Sequence, residues 1–353
     1  MPASNYIIIL LKYISIDNHG FPFYHSAMPE KHKIEQLADL LKDAPDEVFL
    51  QPHNVPDPDA IASCFGLQHL LGTRGVEAVI VYENEIEKAN SLKMLNLFGI
   101  EMKPAGSVHT LGSEDWAVLV DVQKGNSNLT DLDTDEVACI DHHEYQGNKG
   151  YRFEDVRSKV GSCSAIIADY FFEAGLTPPS KVATALLYGI FMDTDNLTRG
   201  VDSLDIDMFY RLYNYCDMNI INELKGNQIS RKDLDLYADA FKSVEIYEEL
   251  GFLRLESAND SLLGAASDMV LTISGVNIVV AYSLRPNGIK FSARSIVPGV
   301  KANDLMRYIL QETGFGGGHD SMAGGFMPQE NLQAGKRLDT FIKHRAISYY
   351  ERR

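Results

Sequence analysis

The strongest constraint on the fold is a regular alternation between residues 29 and 200. "EVFLQPH", "VEAVIVYE", "WAVLVDV" and "EVACID" are nearly continuous apolar runs rich in Val, Ile and Leu. Such runs read as strands buried on both faces, because a strand with one wet face alternates polar and apolar residues. Around them, "KIEQLADLLKDA", "AIASCFGLQHLLGTRG" and "ANSLKMLNLFG" carry apolar residues at helical spacing, and "SCSAIIADYFFEAG" and "KVATALLYGIFMDT" follow the last strand. Buried strands alternating with helices predict an α/β domain with a parallel sheet covered on both faces.

Beyond Arg199 the texture changes. "DIDMFYRLYNYCDMNIINELK" and "KDLDLYADAFKSVEIYEE" are charged, helical and Tyr-rich, as befits a connecting segment. A second α/β stretch follows, with "GFLRLES", "SDMVLTISGVNIVVAYSLRPNGIKFSARS", the helix "ANDLMRYILQETG" and a glycine-rich loop. "RPNG" between two strand runs is a hairpin signal. The expected organisation is an N-terminal extension over 1–28, a parallel-sheet domain over 29–200, a helical linker over 201–245 and a smaller α/β domain over 246–345. "NYIIILLKYISI" in the extension is shorter than the roughly 20 residues of a membrane helix. No basic residue precedes it, as a signal peptide would require. The expectation is therefore an extra strand or arm, with Met28 as an alternative natural start.

Composition narrows the function. The chain of 353 residues carries a formal net charge of −17. That acidity excludes a general surface for long duplex DNA, which needs many Lys and Arg contacts to phosphates. A small phosphorylated substrate remains compatible, because bound metal ions reverse the sign of an acidic site. Cys64, Cys139, Cys163 and Cys216 show no C-x-x-C pair, so neither a zinc clasp nor a thioredoxin-type motif is indicated. Buried free thiols imply a reducing, cytoplasmic setting with no membrane partner.

Acidic and imidazole side chains recur where apolar segments end. "FLQPHNVPDPDAIAS" offers His53, Asp57 and Asp59; "WAVLVDV" offers Asp121; "VACIDHH" offers Asp141, His142 and His143; "ALLYGIFMDTDN" offers Asp193. Each alone has an ordinary reading, Asp59 or Asp121 as a cap or turn residue and the His pair as solvated surface. Jointly they fall at the same end of their elements, where open α/β sheets place their functional crevice. Carboxylates with imidazoles and no thiolate suit Mn2+ or another octahedral divalent ion.

These residues resemble the four motifs of the DHH phosphoesterase superfamily, in order "HNVPDPDAIAS", "VDV", "IDHH" and "GIFMDTD". The second stretch is similar to the DHHA1 domain in its "FSARS" and "GFGGGHDSMAGG". The resemblance spans roughly residues 30 to 345. It implies two Mn2+ ions, with Mg2+ or Co2+ as chemical substitutes. One would be held by His53, Asp57 and Asp121, the other by Asp59, Asp121, His142 and Asp193. It makes Asp141 a supporting residue and His143 the group facing the substrate phosphate, as hydrogen-bond donor or acid. It also implies a substrate entering between the domains against Arg294, Ser295, Gly316, Gly317, Gly318 and His319. Arg294 would supply a bidentate fork, and the glycines would let backbone N–H groups approach an anion. Pro58 and Ala62 stand where the family usually has glycine, Met322 where it usually has alanine. Arg199 is a candidate for the arginine of the oligoribonuclease branch.

The implied function is a Mn2+-dependent phosphoesterase of short nucleotides: short oligoribonucleotides, 3′-phosphoadenosine 5′-phosphate or dinucleotides. An exopolyphosphatase-like hydrolase and a non-catalytic nucleotide sensor are the alternatives. A homodimer is compatible with the sequence and not specified by it.

Overall fold

The computed structural model describes residues 14–16, 22–24, 31–86, 88–226, 234–331 and 337–352. Most of the expected extension, with the Met28 alternative, lies outside them. Within it are two short antiparallel strands, β1 (Ile14–Ile16) and β2 (Pro22–Tyr24). The chain divides into two compact units, Met1–Gly226 and Asn227–Arg353.

In the first unit, α1 (Lys33–Leu41), β3 (Val48–Gln51), α2 (Pro58–Gly72), β4 (Val79–Tyr82) and α3 (Ala89–Phe98) come in order. They are followed by β5 (Lys103–Pro104), β6 (Trp116–Val120), β7 (Asp135–Asp141), β8 (Phe153–Val156), α4 (Cys163–Glu173) and α5 (Ser180–Asp193). The six strands form one sheet of order β5-β4-β3-β6-β7-β8, in which every neighbouring pair is parallel. Val118 and Leu119 of β6 and Ala138 and Cys139 of β7 are wholly buried, so consecutive residues on both faces lie inside. That burial is why these strands read as unbroken apolar runs.

The segment expected as a linker divides instead. Helices α6 (Ser203–Tyr213) and α7 (Met218–Lys225) send Met208, Leu212, Ile221 and Leu224 into the core of the first unit. Helix α8 (Leu234–Lys242) belongs to the second. The charged, Tyr-rich texture of 201–225 is the wet face of helices with one buried stripe, not the signature of a free connector.

The second unit continues with β9 (Glu245–Tyr247), β10 (Leu250–Glu256), α9 (Asp260–Leu271), β11 (Ile278–Arg285) and β12 (Gly288–Ser295). It closes with α10 (Ala302–Leu310), β13 (Phe315–Gly318), β14 (Met322–Pro328) and α11 (Leu338–Tyr350). Its sheet has the order β13-β14-β12-β11-β10-β9, with only β10 and β11 parallel. Alternate residues of β11 enter different cores: Ile278, Val280 and Tyr282 join Leu305 and Ile309 of α10, while Val279 and Ala281 join Leu263 of α9. The "RPNG" hairpin forms as expected, pairing Arg285 with Gly288.

Two local readings are corrected. "EIY", read as helical, forms the edge strand β9, because pairing with β10 overrides weak local preference. The glycine-rich "loop" is strand β13, in which Gly316 pairs with Gly325 and Gly317 with Gly324. A Cβ at Gly316 would come within 2.6 Å of Met306 Cγ, so the missing side chain lets α10 close over the strand.

Candidate metal centre

The chain places its first acidic motif by helix capping. Asp57, not Asp59, caps α2: its Oδ1 accepts the N–H groups of Asp59 and Ala60 at 3.0 and 3.2 Å. Pro58 occupies the first turn, where its missing N–H costs nothing. Asp59 is wholly buried and serves another helix, accepting from Cys163 N at 2.7 Å and Ser164 N at 2.9 Å in the first turn of α4. A negative charge suits that position, since the N–H groups there lack intrahelical partners. Helix α5 crosses the same spot at Gly189, where a Cβ would lie 2.1 Å from Ser164 Oγ and 3.0 Å from Asp59 Oδ1. Only glycine leaves room for this carboxylate beneath "GIFMD".

Asp121 follows β6 with φ of 62°, a left-handed conformation that Asp tolerates better than most residues. Its two oxygens face different partners. Oδ2 lies 3.8 Å from His53 Nε2, which is 3.9 Å from Asp57 Oδ1. Oδ1 lies 3.3 Å from His142 Nε2 and 3.7 Å from His143 Nδ1. His142 Nε2 is in turn 3.2 Å from Asp193 Oδ2 and 4.0 Å from Asp59 Oδ2. Three ligand-like groups result: His53–Asp57–Asp121, Asp59–His142–Asp193 and Asp121–His142–His143, each with donor atoms within 4.8 Å of one another.

The electrostatics is that of a site short of positive charge. Burial and the carboxylates of Asp121 and Asp193 push the pKa of Asp59 well above the ordinary value. Burial likewise raises Asp121, with His142 and His143 opposing. Burial works against charge on His142, yet Asp121 and Asp193 raise it well above the usual imidazole value. His142 Nδ1 lies 3.2 Å from the Val160 carbonyl, which turns Nε2 inward toward those carboxylates. Asp121 Oδ1 and His142 Nε2 are buried with no hydrogen-bond partner among the described residues. Buried carboxylates that draw a proton onto His142 offer a place where a cation can stand in for that proton, with Nε2 as one of its ligands. The donor set, oxygens with imidazoles, fits divalent ions of the Mn2+ or Mg2+ type.

Family models match both units of the chain. Residues 47–190 match the DHH family, N-terminal domain, and residues 248–344 match the DHHA1 domain. The chain belongs to the DHH phosphoesterase superfamily. It is 28% identical over 303 residues to an uncharacterized protein of Methanocaldococcus jannaschii, covering 85% of this chain and 60% of that one. It is 27% identical over 322 residues to the cyclic-di-AMP phosphodiesterase PdeA of Listeria monocytogenes, covering 82% of this chain but 46% of the relative. The chain thus spans less than two thirds of the length of either. In fold it resembles an exopolyphosphatase-related protein from Bacteroides fragilis, with a TM-score of 0.73 at 18% identity, covering 91% and 96% of the two chains.

In the DHH domain, Asp141 is fully occupied. Its Oδ1 accepts from His142 N at 2.8 Å and His143 N at 3.2 Å and pairs with His143 Nδ1 at 2.8 Å, while Oδ2 accepts from Gln123 Nε2 at 2.6 Å. Burial opposes its charge, but His143, His142 and Gln123 hold its pKa below the ordinary value. Sequence reasoning missed Gln123, wholly enclosed two residues after Asp121. It also missed Asp205, a buried carboxylate of α6 that accepts from Gly161 N and Ser162 Oγ just before α4. Arg199, the candidate substrate arginine, donates to the Asp193 carbonyl at 3.0 Å and so closes the end of α5.

The DHHA1 residues have partners of their own. Arg294, expected as an open fork, donates from Nε to Asp268 Oδ1 at 2.5 Å and from Nη2 to Asp268 Oδ2 at 3.4 Å. Ser295 Oγ accepts from Val297 N at 3.3 Å, and His319 N donates to Met322 O at 2.7 Å in the turn between β13 and β14. Gly316, Gly317 and Gly318 lie in the β13 ladder rather than in an anion-binding loop.

Proposed function

We propose that this protein is a Mn2+-dependent phosphoesterase of short phosphorylated nucleotides, including short oligoribonucleotides and dinucleotides. The observation that carries the reading is Asp121, whose two oxygens face separate sets of ligand-type side chains. His53, Asp57 and Asp121 would hold one ion, and Asp59, Asp121, His142 and Asp193 the other. When bound, two such ions supply a more acidic water and positive charge for the oxygens of a phosphate ester.

The remaining work falls to the chain. Asp141 engages His143 at Nδ1, so proton exchange with a substrate oxygen falls to Nε2. Burial opposes the imidazolium, but Asp141 and Asp121 raise its pKa to about 9. The Asp141 carboxylate at Nδ1 stabilises a protonated ring, which suits His143 to pass a proton from Nε2 to a leaving oxygen. Gln123 fixes the Asp141 carboxylate and, through it, the ring. Arg294 and His319 are proposed to contact the anionic and polar parts of the nucleotide. Activity of PdeA on cyclic di-AMP supports a dinucleotide among the substrates.

The test is one Mn2+-supplemented hydrolysis panel of short RNA, 3′-phosphoadenosine 5′-phosphate, cyclic di-AMP, polyphosphate and pyrophosphate. Turnover of a nucleotide supports the reading. Turnover of polyphosphate or pyrophosphate alone replaces it with phosphoanhydride hydrolysis, and binding without any turnover replaces it with a sensor.

A further inference from the structure

Arg294 is a nearly buried cation with an exposed counter-ion: its side chain is 9% exposed and that of Asp268 is 60% exposed. One edge of the guanidinium is locked. Nη1 donates to Ser292 Oγ at 3.0 Å and to Ala293 O at 3.1 Å, both on its own strand. Ser292 is braced by Ser267, whose hydroxyl lies 3.0 Å away, and both serines are buried. Turning this edge away would strand buried polar groups, so the arginine stays where it is. The opposite edge, Nε and Nη2, is taken by the Asp268 carboxylate.

The position of Asp268 is informative. It lies in the last turn of α9, where the helix dipole disfavours a carboxylate. Pairing with Arg294 gives a reason for a negative charge there. One turn earlier stands Gly264, where a Cβ would lie 3.5 Å from Arg294 Nη2. The helix therefore puts no side chain against that nitrogen, and one N–H of Nη2 has no acceptor among the described residues.

We infer that Asp268 is a specificity-determining residue, an internal anion that occupies the Nε–Nη2 edge of Arg294 until an anionic group of the ligand displaces it. The inference rests on the proposed contact of Arg294 with a phosphorylated ligand. Exchange of one anion for another on a fixed edge never leaves the buried guanidinium unpaired. The displaced carboxylate is already largely in water and can turn into it. A phosphate oxygen pair matches the vacated edge bidentately. A group of lower charge competes poorly with a carboxylate already in place, so Asp268 sets a threshold for what Arg294 accepts.

The test uses the full chain freed of divalent ions, with inorganic phosphate as the probe and calorimetry as the readout. Phosphate should bind roughly tenfold tighter to Asp268→Asn and Asp268→Ala, a difference of 1.4 kcal/mol. Asp268→Glu should restore wild-type affinity, and Arg294→Ala should lose binding with or without Asp268. With a short nucleotide as substrate, the change at Asp268 should fall on KM rather than kcat. Unchanged or weaker phosphate binding by both neutral variants overturns the inference, because Asp268 would then brace Arg294 rather than compete for it. Binding that survives Arg294→Ala overturns it equally. If the wild type turns over no nucleotide, the functional reading fails, while the phosphate titration still decides the role of Asp268.

Discussion

The DHH and DHHA1 domains hold their charged groups in opposite conditions. Around Asp121, buried carboxylates crowd one imidazole, and neither Asp121 Oδ1 nor His142 Nε2 has a hydrogen-bond partner among the described residues. Around Arg294, a buried donor has its edges filled by Ser292, Ala293 and Asp268. The first arrangement is short of positive charge as protein, and a divalent cation would supply it. The second has both edges of its cation engaged and must give up the Asp268 contact to bind an anion bidentately. Two readings follow: in the DHH domain the missing partner is what identifies the ligand, whereas in the DHHA1 domain the partner already present sets what the ligand must outcompete.

The comparison can be broken first at Asp121. Asp121→Asn removes a charge facing both ligand sets, and hydrolysis should fall by on the order of 10³-fold or more. Metal content by elemental analysis should drop while the far-ultraviolet circular dichroism is retained; near-normal activity would refute a shared carboxylate. Gln123→Leu probes the support beneath. It removes the hydrogen bond to Asp141 and should lower kcat by roughly 10- to 100-fold, the usual effect of losing an outer-shell partner. Both ions should remain bound, so loss of metal in this variant would mean that Gln123 holds the centre rather than His143.

How much of this was legible in the sequence follows from where each signal lies. Asp121, Asp141 and Asp193 end apolar runs, and a run that stops on a carboxylate can be read without coordinates. Pro58 also marked the start of α2 and made Asp57 the cap, a signal that the attention to Asp59 passed over. Gln123, Asp205 and Asp268 were not legible, because their partners lie 18, 43 and 26 residues away and nothing local points to them. The glycine run failed for a different reason. Locally it says turn, and only the packing of Met306 over Gly316 turns its missing side chains into a strand requirement.

A smaller effect tests the DHHA1 side. His319→Ala should raise KM for a short nucleotide by roughly tenfold, the scale of one polar contact, with Mn2+ content unchanged. If the substitution strips metal instead, the division of labour between the two domains is wrong.

The smallest effect asks whether the DHH domain is short of partners throughout or only at its centre. Tyr170 of α4 is fully buried and, unlike Asp121, well supplied: its hydroxyl donates to Asp155 Oδ2 at 2.7 Å. Asp155 also binds Arg157, whose Nη1 reaches Asp169 at 2.7 Å. Burial and the Asp155 carboxylate keep the phenol protonated well past its ordinary value of 10.0. A raised folded-state pKa contributes stability that is complete below the unfolded value and is lost as pH rises through the folded one. Tyr170→Phe should therefore cost about 1 kcal/mol at neutral pH, the worth of one hydrogen bond, and Arg157 keeps Asp155 paired. Above pH 10 the gap to wild type should narrow, since only the tyrosine form has a proton to lose on unfolding. Trp116, the single tryptophan, lies on β6 and so reports the unfolding of this unit by fluorescence. Urea midpoints at neutral and alkaline pH decide the matter. A gap that widens with pH would mean that Tyr170 ionises more readily folded than unfolded, and that burial against Asp155 does not hold its proton.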